Sequence, residues 1–282
     1  MIIASKVSIF LRRSAIAALR RRTIAALRRG AIAAAALVCG ALSFIAPPAA
    51  AANTPLHCPL PAGGYQLGDG LPKAAAKLKN GGKLTVAAIG SSSTQGVGAS
   101  SPTAAYPAWL GRTLLHAFPD SEITVFNRGI GGQTAAEMLA RFDRDVLALR
   151  PDVVLWQTGT IEAVDHLNIA AFADTVRSGL RLLRSQGIEV MLVNQQNSPR
   201  LEATHPGYRR YVDIMRRIAR EENVAMLDRY ESMRRWGAVA QGGLMTLMSA
   251  DDLHMKDDSY RCFGAAAAAV LACAAGRECP ES

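Results

Sequence analysis

Two groups of residues in this chain have types and spacings that do chemistry. Ser92 stands in Gly90-Ser91-Ser92-Ser93-Thr94-Gln95-Gly96, where the apolar run from Leu84 to Ile89 breaks into hydroxyls and then glycines. A buried strand that turns sharply into a helix presents a side chain at the strand's carboxyl end, where α/β proteins hold a reactive group. Far downstream, Asp251 precedes His254 by three residues. At that spacing a carboxylate reaches the imidazole Nδ1, fixes its tautomer and leaves Nε2 free to take a proton from a serine. Ser92, Asp251 and His254 thus form a candidate catalytic triad in the order Ser, Asp, His. Asp252, two residues from the histidine, is the less well placed partner.

Simpler readings exist for each group. Serines and threonines at a helix start satisfy orphan amides, and an Asp/His pair commonly caps a surface turn. A phosphate cradle lacks its Gly-Lys-Ser/Thr here. The glycines of Asn127-Arg128-Gly129-Ile130-Gly131-Gly132-Gln133-Thr134 have the spacing G-x-G-G rather than G-x-G-x-x-G, which argues against a dinucleotide site and suits an exposed N–H at Gly132 as an oxyanion donor. No His/Cys cluster has metal-ligand spacing, so neither metal nor cofactor is expected.

The elements that must position these residues alternate regularly. Beyond Gly98 the pattern predicts helix over 105–118, strand over 123–126, helix over 134–149, strand over 153–157, helix over 169–185, strand over 190–193, helix over 208–222, strand over 224–227 and a last helix over 258–275. The strands are continuous Val/Leu/Ile/Met runs, as expected where helices cover both faces. The fold class is α/β: a three-layer α/β/α sandwich around a parallel sheet. Its strand ends, 91–94, 127–134, 158–162 and 194–197, are all polar or glycine-rich, and ligands bind at that edge of such sheets.

Composition divides the chain in two. Residues 1–52 carry eight of the 32 basic residues and none of the 23 acidic ones, so without them the formal charge falls from +9 to +1. The high pI therefore belongs to this segment, and a nucleic-acid partner loses its support. Basic residues, an apolar Ala-rich stretch and small residues near Ala50 to Ala52 describe an export signal. The alternative is a retained membrane anchor, since about 20 apolar residues can span a bilayer. Residues 53–282 form one domain, exported to the periplasm or secreted.

At this point the sequence resembles the SGNH, or GDSL-type, hydrolases. Gly90 to Gly96 matches the first block, G-D-S-x-T-x-G, with Ser91 in place of Asp. Asn127 to Thr134 is similar to the second block and puts Gly132 at the oxyanion glycine. Pro151-Asp152-Val153-Val154-Leu155 looks like the lead into the third block, and Asp251-Asp252-Leu253-His254 matches the last, D-x-x-H. The third block departs: where the family has G-x-N-D, this chain has Gly159-Thr160-Ile161-Glu162. Ile161 cannot donate the hydrogen bond of an oxyanion asparagine.

The resemblance implies a flavodoxin-like sheet, the SGNH hydrolase fold, and hydrolysis of an acyl ester, acetyl among the candidates, through an acyl-enzyme. Ser92 would attack, His254 carry the proton, Asp251 orient His254, and the amides of Ser92 and Gly132 hold the oxyanion. The implied partner is a small-molecule, glycan or lipid ester, with a membrane involved only if the leader is retained. A catalytically silent acyl- or glycan-binding protein on the same fold is the alternative, favoured by Ile161. Asn194, Gln195, Gln196 and Asn197 are candidate substrate-binding residues or a substitute oxyanion donor, unless that run only marks a strand's exit into solvent.

Four cysteines follow the leader: Cys58, Cys262, Cys273 and Cys279. In an exported protein an even count reads as two disulfides, with three possible connectivities. Cys262 and Cys273 on one helix lie about 16 Å apart along its axis, too far to bridge. Cys279, three residues past the helix stop expected at Gly276, has a reach of about 10 Å and cannot return to Cys262. The pairing left is Cys58 with Cys262 and Cys273 with Cys279.

Overall fold

The computed structural model describes Cys58 and residues 60–279; the expected leader at 1–52 lies outside them. In chain order the elements are β1 (Tyr65–Gln66), α1 (Pro72–Lys79), β2 (Lys83–Gly90), α2 (Ser92–Gln95), α3 (Tyr106–Ala117), β3 (Glu122–Gly129), α4 (Ala135–Leu139), α5 (Phe142–Asp145), β4 (Val153–Gln157), α6 (Thr160–Val164), α7 (Ile169–Ser185), β5 (Glu189–Val193), α8 (Pro199–Thr204), α9 (Tyr208–Glu221), β6 (Ala225–Leu227), α10 (Arg229–Val239) and α11 (Asp257–Ala274).

The six strands pair in the order β1-β6-β5-β4-β2-β3. All neighbours are parallel except β1, which pairs antiparallel with β6. The parallel part has the flavodoxin-like order, and its switch point lies at β2, whose neighbours β3 and β4 lead the chain to opposite sides. Ser92 follows the end of that strand.

Alternation along the central strands splits the core. Val86 and Ala88 of β2 join Leu155 and Val193 beneath α1, α3 and α11, with Tyr106, Leu110, Phe263 and Leu271. Ala87 and Ile89 face the other way, joining Val154 and Trp156 beneath α4, α5, α7 and α9, with Phe142, Val176, Leu180 and Met215. Each Val, Leu, Ile, Phe or Met among them contributes on the order of 1.5–3 kcal/mol by leaving water. Edge strand β3 has only one neighbour, and no residue of it is fully buried. In α7 the buried residues Phe172, Val176, Leu180 and Leu183 recur at helical spacing, the stripe by which a helix lies on a sheet. Asn168 starts that helix, its Oδ1 accepting from the N–H of Ala170 at 2.9 Å and Ala171 at 3.0 Å.

Helices α3 and α11 approach closely: a Cβ at Gly264 would lie 2.5 Å from the Trp109 Cβ and 2.7 Å from the Tyr106 carbonyl oxygen. Both disulfides are formed, Cys58 with Cys262 and Cys273 with Cys279, the pairing that reach alone leaves. No helix among the described residues is long and apolar enough to cross a membrane.

One expected element is corrected. The single helix over 134–149 is broken into α4, α5 and a short 3-10 turn at Leu147–Leu149. Arg141 leaves the helical path to bury its guanidinium, donating to Gln133 Oε1 at 2.6 Å, the Arg128 carbonyl at 2.8 Å and Asp145 at 2.9 Å. Those charge-assisted bonds outweigh the gain of continuing a helix.

Candidate active site

The turn after β2 is held from within. Gln157 Oε1, at the end of β4, accepts from the Ser91 N–H and the Thr94 hydroxyl, both at 3.1 Å. With Ser91 and Ser93 buried, the one-turn helix α2 leaves Ser92 as the serine that reaches outward. Capping alone does not account for the cluster, since Ser91 at the cap position makes no side-chain cap bond.

His254 lies in a clasp between Met248 and Met255, which form an isolated antiparallel bridge. Asp251 builds it with one oxygen: Oδ1 accepts from the Ser249 hydroxyl at 2.7 Å, the Leu253 N–H at 3.0 Å and the His254 N–H at 2.8 Å. The other oxygen, Oδ2, lies 2.5 Å from His254 Nδ1, and His254 Nε2 lies 2.9 Å from Ser92 Oγ. Burial draws the Asp251 carboxyl upward, but the His254, Ser249 and Leu253 hydrogen bonds outweigh it and hold it well below the usual carboxylate range. A carboxylate, an imidazole and a hydroxyl in line can deprotonate the hydroxyl as it attacks an electrophile. It is Asp251, not Asp252, that meets the ring; Asp252 takes the left-handed conformation, φ 55°, that closes the turn.

The two halves are stitched together directly. A Cβ at Gly98 would fall 2.5 Å from the Met255 carbonyl oxygen and 3.0 Å from the His254 Cβ. The Tyr260 hydroxyl donates to the Val97 carbonyl at 2.6 Å, and Ser100 donates to the Asp257 carboxylate through its N–H at 2.8 Å and its hydroxyl at 2.5 Å.

Beside Ser92 runs the loop after β3. Gln95 Oε1 accepts the Gly131 N–H at 2.9 Å. A Cβ on Gly131 would lie 3.7 Å from the Ser92 Cβ, so the loop passes against the serine. The next residue, Gly132, has φ 77° and open space where a side chain would be. Among the described residues, the N–H groups of Ser92 and Gly132 meet no acceptor, which leaves both free to receive an oxyanion.

Ile161 lies in α6 and is half-buried. Its neighbour Glu162 is buried, and its Oε1 accepts the Ala135 N–H. Burial raises the Glu162 carboxyl above its usual range against the N–H groups of Ala135, Glu162 and Gly159. Glu162, Arg141, Gln95 and Gln157 thus fasten the site loops without belonging to the line of three. Only Glu162 left a trace in the sequence, as the acidic residue closing the third block; the others carry no local signal.

The run Asn194 to Asn197 does not exit into solvent: all four side chains are buried. Asn194 bridges Asp228 at 2.8 Å and the Tyr230 N–H at 3.0 Å. A Cβ at Gly159 would meet the Gln195 Nε2 at 2.0 Å, and Gln196 Oε1 accepts from Thr160 at 3.2 Å and Arg229 at 3.1 Å. The run packs behind the third block rather than lining an open surface. Among the described residues no group of three or more His, Cys, Asp or Glu is placed to hold a metal ion.

Several solved structures share this fold. A two-domain esterase active on acetylated mannans, solved with mannopentaose, is 24% identical with a TM-score of 0.60; the match covers 75% of this chain and 55% of that one. The chain thus spans just over half the length of that relative. An acetyl xylan esterase from Geobacillus stearothermophilus is 20% identical, TM-score 0.57, over 71% of this chain and 97% of its own. A protein assigned to the G-D-S-L lipolytic family, from Desulfitobacterium hafniense, is 25% identical, TM-score 0.55, over 66% and 98%. No curated protein matches the sequence. The model of the non-GDSL lipase-like family matches residues 57–277, a name in keeping with Ser91 where G-D-S has its aspartate. On that match, and on the fold it shares with esterases of the SGNH type, the chain belongs to the non-GDSL lipase-like family of SGNH/GDSL-like hydrolases.

Proposed function

We propose that residues 53–282 form an exported serine esterase that cleaves small acyl esters, acetyl foremost, through an acyl-enzyme. The observation that carries this reading is the line from Asp251 through His254 to Ser92, with gaps of 2.5 and 2.9 Å. Ser92 Oγ attacks the ester carbonyl as its proton passes to His254 Nε2. The oxyanion that forms is held by the N–H groups of Ser92 and Gly132. His254 then returns the proton to the leaving alcohol, the acyl group stays on Ser92, and water, deprotonated by the same ring, releases it. Asp251 keeps Nδ1 protonated throughout.

Acetylated mannans and acetyl xylan are substrates of the structural relatives, and an acetylated glycan is the substrate class we assign to this chain. Residues 1–52 serve as its export leader, in keeping with two disulfides and with the oxidising compartments in which such bonds persist.

Reaction with a fluorophosphonate probe tests the reading, because labelling requires an activated serine and no knowledge of the substrate. Ser92→Ala abolishes both labelling and aryl acetate hydrolysis while the melting temperature holds; loss in Ser91→Ala or Ser93→Ala with Ser92→Ala active would place the nucleophile elsewhere. Ile161 favours one second reading, a silent acyl- or glycan-binding protein, which a folded but unlabelled wild type would establish.

A further inference from the structure

Arg229 opens α10 with no exposed surface, behind the nucleophile turn. Its Nη2 donates to Ser93 Oγ and to Gln196 Oε1, both at 3.1 Å, while Nε and Nη1 meet no acceptor. Among the described residues no carboxylate pairs with it; Asp228, next in sequence, is taken up by Asn194, the Glu231 N–H and Arg216. The groups around it are Phe263, whose ring centroid is 5.1 Å from the guanidinium carbon, and the phenols of Tyr106, Tyr208 and Tyr260. Burial raises all three phenols, Tyr106 to about 12, so they stay neutral and balance no charge. The other buried arginine among the described residues, Arg141, has Asp145 at 2.9 Å and oxygens on its remaining arms.

A buried cation without a counter-ion costs stability, and apolar residues of similar volume often serve the fold better. Proteins break such packing rules chiefly at functional sites. Here it contacts Ser93, the residue next to Ser92, and is shielded from water, where a charge acts strongly. Negative charge builds up at Ser92 and its bound carbonyl only in the transition state, so a fixed cation nearby favours that state over the ground state.

We propose that Arg229 is a positioning residue for the ester hydrolysis. It steadies the nucleophile turn through Ser93 and, as a buried cation with no ionic partner, stabilises the negative charge that develops at Ser92, offsetting part of what Ile161 fails to supply. The role rests on the hydrolase reading above.

Three variants test it by aryl acetate kinetics and thermal melting. Arg229→Met and Arg229→Gln lower kcat by roughly 10- to 100-fold, somewhat less than loss of a direct oxyanion donor, with KM within about threefold. Arg229→Met melts no lower than wild type, which separates the effect from a loss of fold. Arg229→Lys, which keeps the charge, recovers most of kcat. Wild-type kcat in Arg229→Gln, or Arg229→Lys as slow as Arg229→Gln, overturns the role of Arg229 while the hydrolase reading stands. A wild type that neither turns over the ester nor takes the fluorophosphonate overturns the hydrolase reading and this role with it.

Discussion

Asp251 divides its work between two oxygens, and Asp251→Asn separates them. Oδ1 carries the turn through three donors, and Oδ2 faces His254 Nδ1. An asparagine that keeps its oxygen on the turn presents its NH2 to Nδ1. The imidazole must then accept there, which leaves the proton on Nε2 and nothing to receive the proton of Ser92. Recovering the working tautomer requires flipping the amide, which turns an NH2 toward three donors. At about 1–1.5 kcal/mol for each lost bond, the flip costs about 3–4.5 kcal/mol, or roughly 10²- to 10³-fold in kcat at about 1.4 kcal/mol per decade. Asp251→Ala loses the turn as well, and its melting temperature falls by roughly 6–18 °C for the same loss of about 3–4.5 kcal/mol of hydrogen bonding in a domain of this size.

The pH dependence gives a second readout. The folded carboxyl lies below its ordinary range, so its contribution to stability is present above the unfolded value of about 4 and lost as pH falls below it. The melting-temperature gap between wild type and Asp251→Asn therefore narrows on acidification from about pH 5 downward. Steady-state kinetics on an aryl acetate with matched melting curves decide the matter. An Asp251→Asn enzyme within threefold of wild type, or one that is slow and melts as low as Asp251→Ala, refutes the division of labour.

Ile161→Asn raises kcat on a generic ester about tenfold or more if the oxyanion hole lacks a donor; an unchanged rate, together with activity lost on alanine substitution within Asn194 to Asn197, identifies a substitute. Such a substitute would act from a buried position, as all four of those side chains do. The disulfides differ in the chain they close, 204 residues apart for Cys58–Cys262 and six for Cys273–Cys279. Loop-closure entropy assigns about 5 kcal/mol to the first and about 2 kcal/mol to the second, so replacing Cys58 and Cys262 by serine lowers the melting temperature more than replacing Cys273 and Cys279, as differential scanning calorimetry reads directly.

The sequence exposed those parts of the fold whose signal is local. Helix α7 falls on the expected span and the apolar runs became strands because their periodicity and flanking residues point the same way. Strand β1 escaped notice because two residues carry no periodicity; it exists through pairing with β6 across the fold. Helix α10 is hard to see in a stretch as polar as Arg229 to Val239, where Asp228 supplies the cap and the buried residues include an arginine. At the site, Ser92, Asp251 and His254 were visible because their neighbours are constrained by turn chemistry. The fastening residues were not: Arg141 and Gln157 reach partners 13 and 66 positions away, and a side chain's type alone does not disclose such contacts. The buried run at Asn194 to Asn197 misleads for a similar reason, since polar residues read as solvent-facing until their hydrogen-bond partners are known.

The contact at Gly264 sets more than the packing of two helices. The nucleophile turn leads into α3, and the His254 clasp leads into α11. The gap between Ser92 and His254 is therefore gauged further along both chain segments, at a crossing of Gly264 with Tyr106 and Trp109 that touches neither side chain. A methyl group at position 264, meeting atoms at 2.5 to 2.8 Å, would drive the helices apart by roughly 1 Å to reach ordinary contact. A shift of that size in a reacting pair costs on the order of 10²-fold in rate. On the proposed chemistry, the reactivity of the serine is in this sense calibrated by the absence of a side chain in the middle of the last helix.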